Sequence, residues 1–467
     1  MTRSIFDAWH LPGVEPDRLA TLEIGQLTCR YPEPTPELIG ASVQVLRESG
    51  RALRERPVAE LVRAIDGAAA RLADPADPLR VEAGQRVGAA TGYSDAMTRL
   101  VLDRMAADWR ADPLQRLLAA ELGDPGVLDG FRPAADGTDG RRTRAYGPAL
   151  AFQVFAGNVP GVAVTSLVRA LLVKAPSLGK LASGQPVLPV LFARALESVD
   201  PEAARALAIT YWPGGSEDAE WRAVEAADTV VVYGGEEAVA AYRDRAAGRR
   251  LVVHGPRFSV GLIAADALRD DLPTLARDVA QAVATFDQHG CVSPHAIWVE
   301  ETPGATAADF AEALADALAE TESELPRGRV STAEASAIQQ ERAAAELKGH
   351  AAGASGTRVL TGQGTRWTVV YDPEPALRPS CLNRFVRVHP IPDLADAVDL
   401  LAPAGGQLQS VALAGGRDTR DRLAHRLATL GATRITTFQH LPWPPPDWHH
   451  DGQEPIRELV RWVDLET

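Results

Sequence analysis

"VVVYGGEEAVAAYRDRAAG", residues 230–248, is the stretch from which the architecture can be read. A short run of β-branched and aromatic residues meets two glycines and passes into a polar, alanine-rich segment. A continuous apolar run this short reads as a strand buried on both faces. Such strands belong to parallel sheets covered by helices. Gly234-Gly235 marks the turn from strand to helix.

The same rhythm extends in both directions. "LAFQVFA" (150–156), "ALAIT" (206–210), "DTVVVY" (228–233) and "RRLVVH" (249–254) alternate with longer amphipathic segments. A second series follows in "FSVGLIA" (258–264), "HAIWVE" (295–300), "RWTVVYD" (366–372), "FVRVHPI" (385–391), "LQSVALA" (408–414) and "ATRITTF" (432–438). This predicts two α/β units in tandem with a boundary near 254. Residues 1–145 carry apolar positions at three- and four-residue spacing and read as mostly helical. "GDPGVLDGFRPAADGTDG" (123–140) reads as the loop that closes that region. The expected division is 1–253, 254–440 and a C-terminal extension over 441–467. In that extension the proline-rich "LPWPPPDWHHDG" leads into a short helix, "PIRELVRWVDLE".

Bulk composition narrows the function classes. A chain of 467 residues, 46% hydrophobic and 24% charged, has the makeup of a globular protein with sizeable cores. A net charge of −14 disfavours nucleic acid or an anionic membrane surface as partner. The most apolar stretch, 149–173, is interrupted by Gly157, Asn158, Pro160, Gly161 and Arg169, so no membrane insertion is expected. Cys29, Cys291 and Cys381 form no CxxC and no ligand spacing, which suits a reducing compartment. The opening "MTRSIFDAWHLPG" lacks the blocks of a signal peptide. A cytoplasmic location is the expectation.

Four short stretches carry candidate chemistry. In "DQHGCVSPH" (287–295), Cys291 follows a helix-like segment and Gly290, where a nucleophile and a buried spare thiol are both open readings. In "FAGNVPG" (155–161), Asn158 lies between a buried strand and a buried helix, either tying up the loop or aimed at a developing oxyanion. In "VKAPS" (173–177), Lys174 either snorkels to solvent or reaches a nucleotide. Gly234-Gly235 offers free N–H groups where a pyrophosphate could sit, or is a plain turn; no GxGxxG supports it. His254, His289 and His295 have no carboxylate at a suggestive spacing, and His289 is the one to test as an acid. His449-His450-Asp451 has no third ligand cluster to answer it, so no metal site is expected.

Taken together these stretches resemble a family. "GNVP", "KAPS", "YWPGG" (211–215), the strand with "YGG", "HGPRFS" (254–259) and "QHGCVSP" stand in the order found in aldehyde dehydrogenases. "ATGYSDAM" (90–97) and "WHHDGQEPIRELVRWVDLE" (448–466) bring the chain closer to the LuxC family of acyl-CoA reductases, over nearly its whole length. The resemblance implies an α/β, aldehyde-dehydrogenase-like fold: two tandem parallel-sheet α/β domains with a helical N-terminal region. It implies that Cys291 is the nucleophile and Asn158 the oxyanion-hole amide, brought together by the two α/β units. Lys174 would contact the adenosine ribose, and Gly234 and Gly235 would underlie the pyrophosphate. Val253 stands where aldehyde-oxidising relatives carry a water-activating Glu, so water attack on an acyl-enzyme should be slow. Ser177 stands where NAD-selective relatives often carry an acidic residue, which points to NADPH over NADH. The implied reaction reduces an acyl thioester, of CoA or of a carrier protein, to an aldehyde. An acyl-transferring partner enzyme and a homo-oligomeric assembly are further implications. The rivals are a cysteine acyltransferase that uses no nucleotide, and ordinary aldehyde oxidation.

Overall fold

The structure, a computed structural model, describes residues 4–134, 140–353 and 356–466. The centre of the 123–140 loop, residues 135–139, therefore lies outside the described residues. Two compact units are present: Met1–Thr91, Thr98–Gly255 and Pro445–Thr467 form the first, and Gly92–Met97 with Pro256–Pro444 the second.

The first unit is built on a five-stranded parallel sheet: β1 (Ala151–Val154), β2 (Ser177–Leu181), β3 (Leu207–Tyr211), β4 (Thr229–Tyr233) and β5 (Arg250–His254). Their order across the sheet is β5-β4-β1-β2-β3. Alternate residues feed two separate apolar layers, as a pleated strand requires. Val231, Tyr233 and Val252 pack into one layer, and Phe152, Val154, Val230 and Val232 into the other. Helices cover both faces, which is why these strands read as unbroken apolar runs. Helix Pro36–Glu55 shows how local signals set an element: Thr35 accepts from the Leu38 N–H at 3.1 Å and Pro36 opens the first turn. Its buried face is Ile39, Val43, Leu46 and Leu53.

Two departures from the sequence expectation fall in this unit. The N-terminal region is not only helical: Ser4–Asp7, Leu19–Ile24 and Leu27–Pro32 form a three-stranded sheet before the first helix. The end of the chain is no separate extension either. Arg461–Leu465 is a strand, paired antiparallel with Arg142–Tyr146, where the spacing of 455–466 predicts a helix. An edge waiting for a partner outweighs a short segment's intrinsic preference. The apolar stretch 149–173 resolves into β1, a loop and helix Val162–Leu172. Among the described residues no helix is long and apolar enough to cross a membrane.

The second unit holds a seven-stranded sheet: β6 (Phe258–Ile263), β7 (Pro294–Glu300), β8 (Arg358–Thr361), β9 (Thr368–Tyr371), β10 (Phe385–Ile391), β11 (Leu408–Ala414) and β12 (Arg434–Thr436). The order is β8-β9-β10-β7-β6-β11-β12, parallel except for the β8/β9 pair. Ile297 and Val388 belong to one apolar layer, Ala296 and Trp298 to the opposite one.

Candidate active site

In the first unit the chain steps outward from β1 to β3, then returns to lay β4 on the other side of β1. The strand order reverses there, and in open parallel sheets ligands gather beyond the carboxyl ends at such a point. The loop leaving β1 carries Asn158 and the turn leaving β4 is Gly234-Gly235. Asn158 is exposed rather than buried. Close packing shapes this edge: a Cβ on Gly184 would stand 2.5 Å from the Gly157 carbonyl oxygen. Gly161, at φ +100°, then opens helix Val162–Leu172 towards the same edge. A Cβ on Gly234 would come within 3.0 Å of the Ala238 Cβ, whereas one on Gly235 would meet nothing within 4 Å. The turn is tight at its first glycine and open at its second. Glu236 and Glu237 lie in the first turn of the helix that follows and would oppose an anion there.

Lys174 and Ser177 are not at this edge. Lys174 precedes β2 and Ser177 is its first residue, so both lie at the amino ends of the strands. The Lys174 ammonium is buried and donates to Asp129 at 2.6 Å and to the Arg54 carbonyl at 3.3 Å. Ser177 is fully buried, its hydroxyl accepting from Gln153 Nε2 at 2.8 Å. This corrects the assignment of both to the nucleotide, and the argument for NADPH from Ser177 falls with it. The lysine at the carboxyl end of β2 is Lys180, whose ammonium is held by Glu220 and Tyr242; burial, first of all, pulls its pKa down. Ser177→Glu should therefore act on stability: an uncompensated buried carboxylate costs on the order of 3–5 kcal/mol. Melting temperature should fall while the ratio of kcat/KM for NADPH and NADH stays constant. A changed ratio would return Ser177 to the nucleotide.

Sequence spacing left the histidines without carboxylates, but the fold supplies two. His254, at the end of β5, holds Asp451 through Nδ1 at 2.9 Å, and both are buried. His450 Nε2 stands 3.7 Å from the other Asp451 oxygen, while His449 faces solvent. His254, His450 and Asp451 place ligand atoms within 4.8 Å of one another, so the third partner absent from the sequence does exist in space. Yet the rings of His254 and His450 stack at 4.5 Å and 23°, with Tyr233 and Trp448 extending the stack. Stacked imidazoles point their in-plane lone pairs side by side rather than at one point.

In the second unit Cys291 lies just before β7. Helix Leu272–Ala284 buries Ala276, Val279, Ala280 and Val283 and ends where the Thr285 hydroxyl donates back to the Gln281 carbonyl at 2.7 Å. The backbone then enters the left-handed region at Phe286, Asp287 and Gln288, with φ of 56°, 49° and 69°. A second such run is Leu382, Asn383 and Arg384, at 60°, 58° and 64°. Each non-glycine residue held this way costs about 1–2 kcal/mol, so the surroundings must impose it. The two runs are stitched to each other. The Asn383 N–H donates to the Asp287 carbonyl at 3.1 Å. Gln288, fully buried, donates to the Pro294 and Phe385 carbonyls at 2.8 and 2.9 Å and accepts from the Phe385 N–H at 2.8 Å. Arg384, fully buried, donates to Asp287 at 3.0 Å and to Glu322 at 2.9 Å.

The Cys291 turn is tied to the sheet as well. The Ser259 hydroxyl donates to the Cys291 carbonyl at 2.8 Å and accepts from the Ser410 N–H at 3.1 Å. Cys291 and Cys381 are both half-buried and Cys29 is buried; burial pushes the Cys29 and Cys381 thiols up to about 11. Thiols held protonated are poor nucleophiles, which leaves Cys291 as the candidate. His289, two residues before it, places Nε2 3.2 Å from Asn383 Oδ1 and 3.9 Å from Glu334. Burial holds His295 down at about 4, so it is neutral near pH 7.

Residues 53–462 match the acyl-CoA reductase (LuxC) family. The chain belongs to that family. This LuxC-family chain is thus an oxidoreductase acting on acyl and aldehyde groups. It is 26% identical over 390 residues to the long-chain acyl-protein thioester reductase of Aliivibrio fischeri, covering 80% of this chain and 75% of that protein. Its fold is that of the aldehyde dehydrogenases. Aldehyde dehydrogenase 21 of Physcomitrella patens, solved with succinate, superposes with a TM-score of 0.76 at 15% identity, over 100% of this chain and 99% of that one. A mutant aldehyde dehydrogenase C of Pseudomonas syringae, solved with NAD+ and octanal, does so at 0.74 and 13%, over 98% and 96%.

The residues that the sequence reading passed over in this LuxC-family chain are Gln288, Asn383 and Arg384. Polar "DQH" at the close of an apolar helix and "NR" before an apolar strand were the available signals. Polar side chains in those settings must be bonded or exposed, but only the fold names their partners.

Proposed function

We propose that this chain reduces an acyl thioester, of CoA or of an acyl-carrier protein, to an aldehyde through an acyl-enzyme on Cys291. The observation that carries the reading is the half-buried thiol of Cys291 on a doubly stitched, strained turn, while burial keeps the two other cysteines protonated. Thiolate attack on the thioester carbonyl forms the Sγ–C bond and expels the carrier thiol. Asn158 is the side-chain donor to the tetrahedral oxyanion. A reduced nicotinamide dinucleotide, NADPH or NADH, lies at the carboxyl edge of the first unit's sheet beside Gly234 and Gly235, and supplies hydride when bound. The curated relative's name supports the carrier-protein form of the substrate.

Val253 supports reduction over hydrolysis. Its side chain packs against an apolar layer and its carbonyl accepts from Gln453 at 2.9 Å, so no carboxylate stands at that position. His254 points to the opposite face of β5 and is engaged by Asp451. Without a base to draw a proton from water, the acyl-enzyme should be long-lived. Incubation with a panel of acyl-CoAs and intact-mass spectrometry should reveal a persistent acyl adduct on Cys291. It should be discharged quickly when a reduced nicotinamide nucleotide or free CoA is added, with loss of the reduced-nicotinamide absorbance in the first case. Rapid release of free acid without nucleotide would put hydrolysis or oxidation ahead. An adduct exchanged by CoA but untouched by either nucleotide would leave an acyltransferase.

A further inference from the structure

The turn that carries Cys291 is closed by its own backbone. The Ser293 N–H donates to the Gly290 carbonyl at 2.9 Å, with Cys291 and Val292 at the two central positions. Gln288 ties the flanks together, donating to the Pro294 carbonyl at 2.8 Å. These bonds shape the turn and hold its ends, but neither fixes the tilt of its middle against the sheet. A tilt there carries the thiol with it, and misplacing reacting atoms by about 1 Å can cost about 100-fold in rate.

One hydroxyl supplies that fixture. Ser259, fully buried, donates to the Cys291 carbonyl at 2.8 Å and accepts from the Ser410 N–H at 3.1 Å. The strands on either side of it are both bulged at this point. Ser259 to Gly261 is two residues along β6, yet the facing stretch of β7, Pro294 to Ile297, is three. Phe258 to Val260 is again two, and the facing stretch of β11, Leu408 to Val411, is three. Bulges are rare between parallel strands and gather beside active sites, where they re-aim a side chain. Here a pair of them flanks a single serine, and the Ser410 N–H lies within the second. A hydroxyl has one hydrogen, and this one is given to Cys291, so Ser259 is not itself the oxyanion donor.

We propose that Ser259 is the positioning residue of the nucleophile: through the Cys291 carbonyl its hydroxyl locks the middle of the turn to β6 and β11, and so sets the line along which the thiol meets the thioester carbonyl. The inference rests on the reading of Cys291 as nucleophile. Loss of the hydroxyl frees the tilt, and fewer molecules hold the attack geometry at any moment. The bound thioester is untouched by this, so the maximal rate falls while the concentration for half-saturation does not. No base is gained or lost, so the acyl-enzyme, once formed, remains long-lived.

The test follows acylation of Cys291 in the full-length protein by peptide mass spectrometry over a range of acyl-CoA concentrations, beside alkylation of the same thiol by iodoacetamide. Alkylation needs a reactive thiol but no aligned carbonyl. Ser259→Ala should lower the maximal acylation rate on the order of 10- to 100-fold. The half-saturating acyl-CoA concentration and the alkylation rate should stay within about threefold, a split that general damage to the site would not produce. Ser259→Thr keeps the hydroxyl and should bring acylation back to within about fivefold of the wild type. Ser259→Cys keeps the volume with a much weaker donor; it should behave as alanine does, and it carries the test if the alanine variant does not fold. Acylation at the wild-type rate in a folded alanine or cysteine variant would overturn the assignment. So would an equal loss of acylation and alkylation that threonine fails to restore. If the wild type forms no acyl-Cys291 at all, the nucleophile reading itself fails.

Discussion

Replacing Cys291 with alanine is expected to abolish both acyl labelling and aldehyde formation. Removing a covalent nucleophile costs on the order of 10⁴–10⁶-fold when the rest of the site is intact. Cys29→Ala and Cys381→Ala should leave both activities within about twofold, since burial pushes each thiol's pKa up. The contrast guards against a trivial loss of fold. Cys29 is fully packed, so its removal should, if anything, disturb the structure more than removal of half-buried Cys291. The measurement is peptide mapping of the acylated residue together with aldehyde formation, on variants shown by thermal melting to be folded. Turnover surviving in a folded Cys291→Ala protein would rule out the covalent mechanism.

Arg384→Leu carries the second large effect, and this one is on stability. Arg384 is fully buried between Asp287 and Glu322, bonded to them at 3.0 and 2.9 Å. Leucine removes the guanidinium that bonds both carboxylates, leaving Arg366 on Glu322 at 2.8 Å, while the left-handed φ of 64° remains no worse for leucine than for arginine. Breaking a buried pair on one side costs about 3–5 kcal/mol, because the remaining charge stays desolvated. In a unit of this size that lowers the melting temperature by roughly 6–20 °C. Acylation of Cys291 should slow as well, since Asp287 opens the turn that ends in the cysteine and its carbonyl holds the Asn383 N–H. A melting curve like the wild type's would show that the two carboxylates are relieved by protonation or by water.

These two variants also mark how far a sequence carries. Cys291 stands out in one dimension because glycine, cysteine and serine-proline at the end of an apolar helix form a local pattern. Arg384 does not, since an arginine between an asparagine and an apolar strand reads as an ordinary solvated charge. Its partners lie 97 and 62 residues away. His254 gave the same difficulty, with Asp451 at 197 residues' distance. The misplacement of Lys174 and Ser177 had another cause. "KAPS" lies between an apolar helix and a strand, and only the direction of β2 tells whether that junction is at the ligand-binding edge of the sheet. It is at the amino edge.

By itself the sequence determined the alternation of strands and helices, the parallel and helix-covered character of both sheets, and membership of the acyl-CoA reductase family. Those properties are periodic or follow the order of the chain, and so can be read along one dimension. The tertiary structure alone decided that the C-terminal residues pair as a strand and that Asn158 and the Gly234-Gly235 turn share the carboxyl edge of one sheet. It also decided that His289 faces Asn383 and that His254 faces Asp451. Each of these depends on strand order or on a contact between distant segments. The energy of such contacts comes from desolvation and pairing in the folded state, and local propensity carries no trace of it.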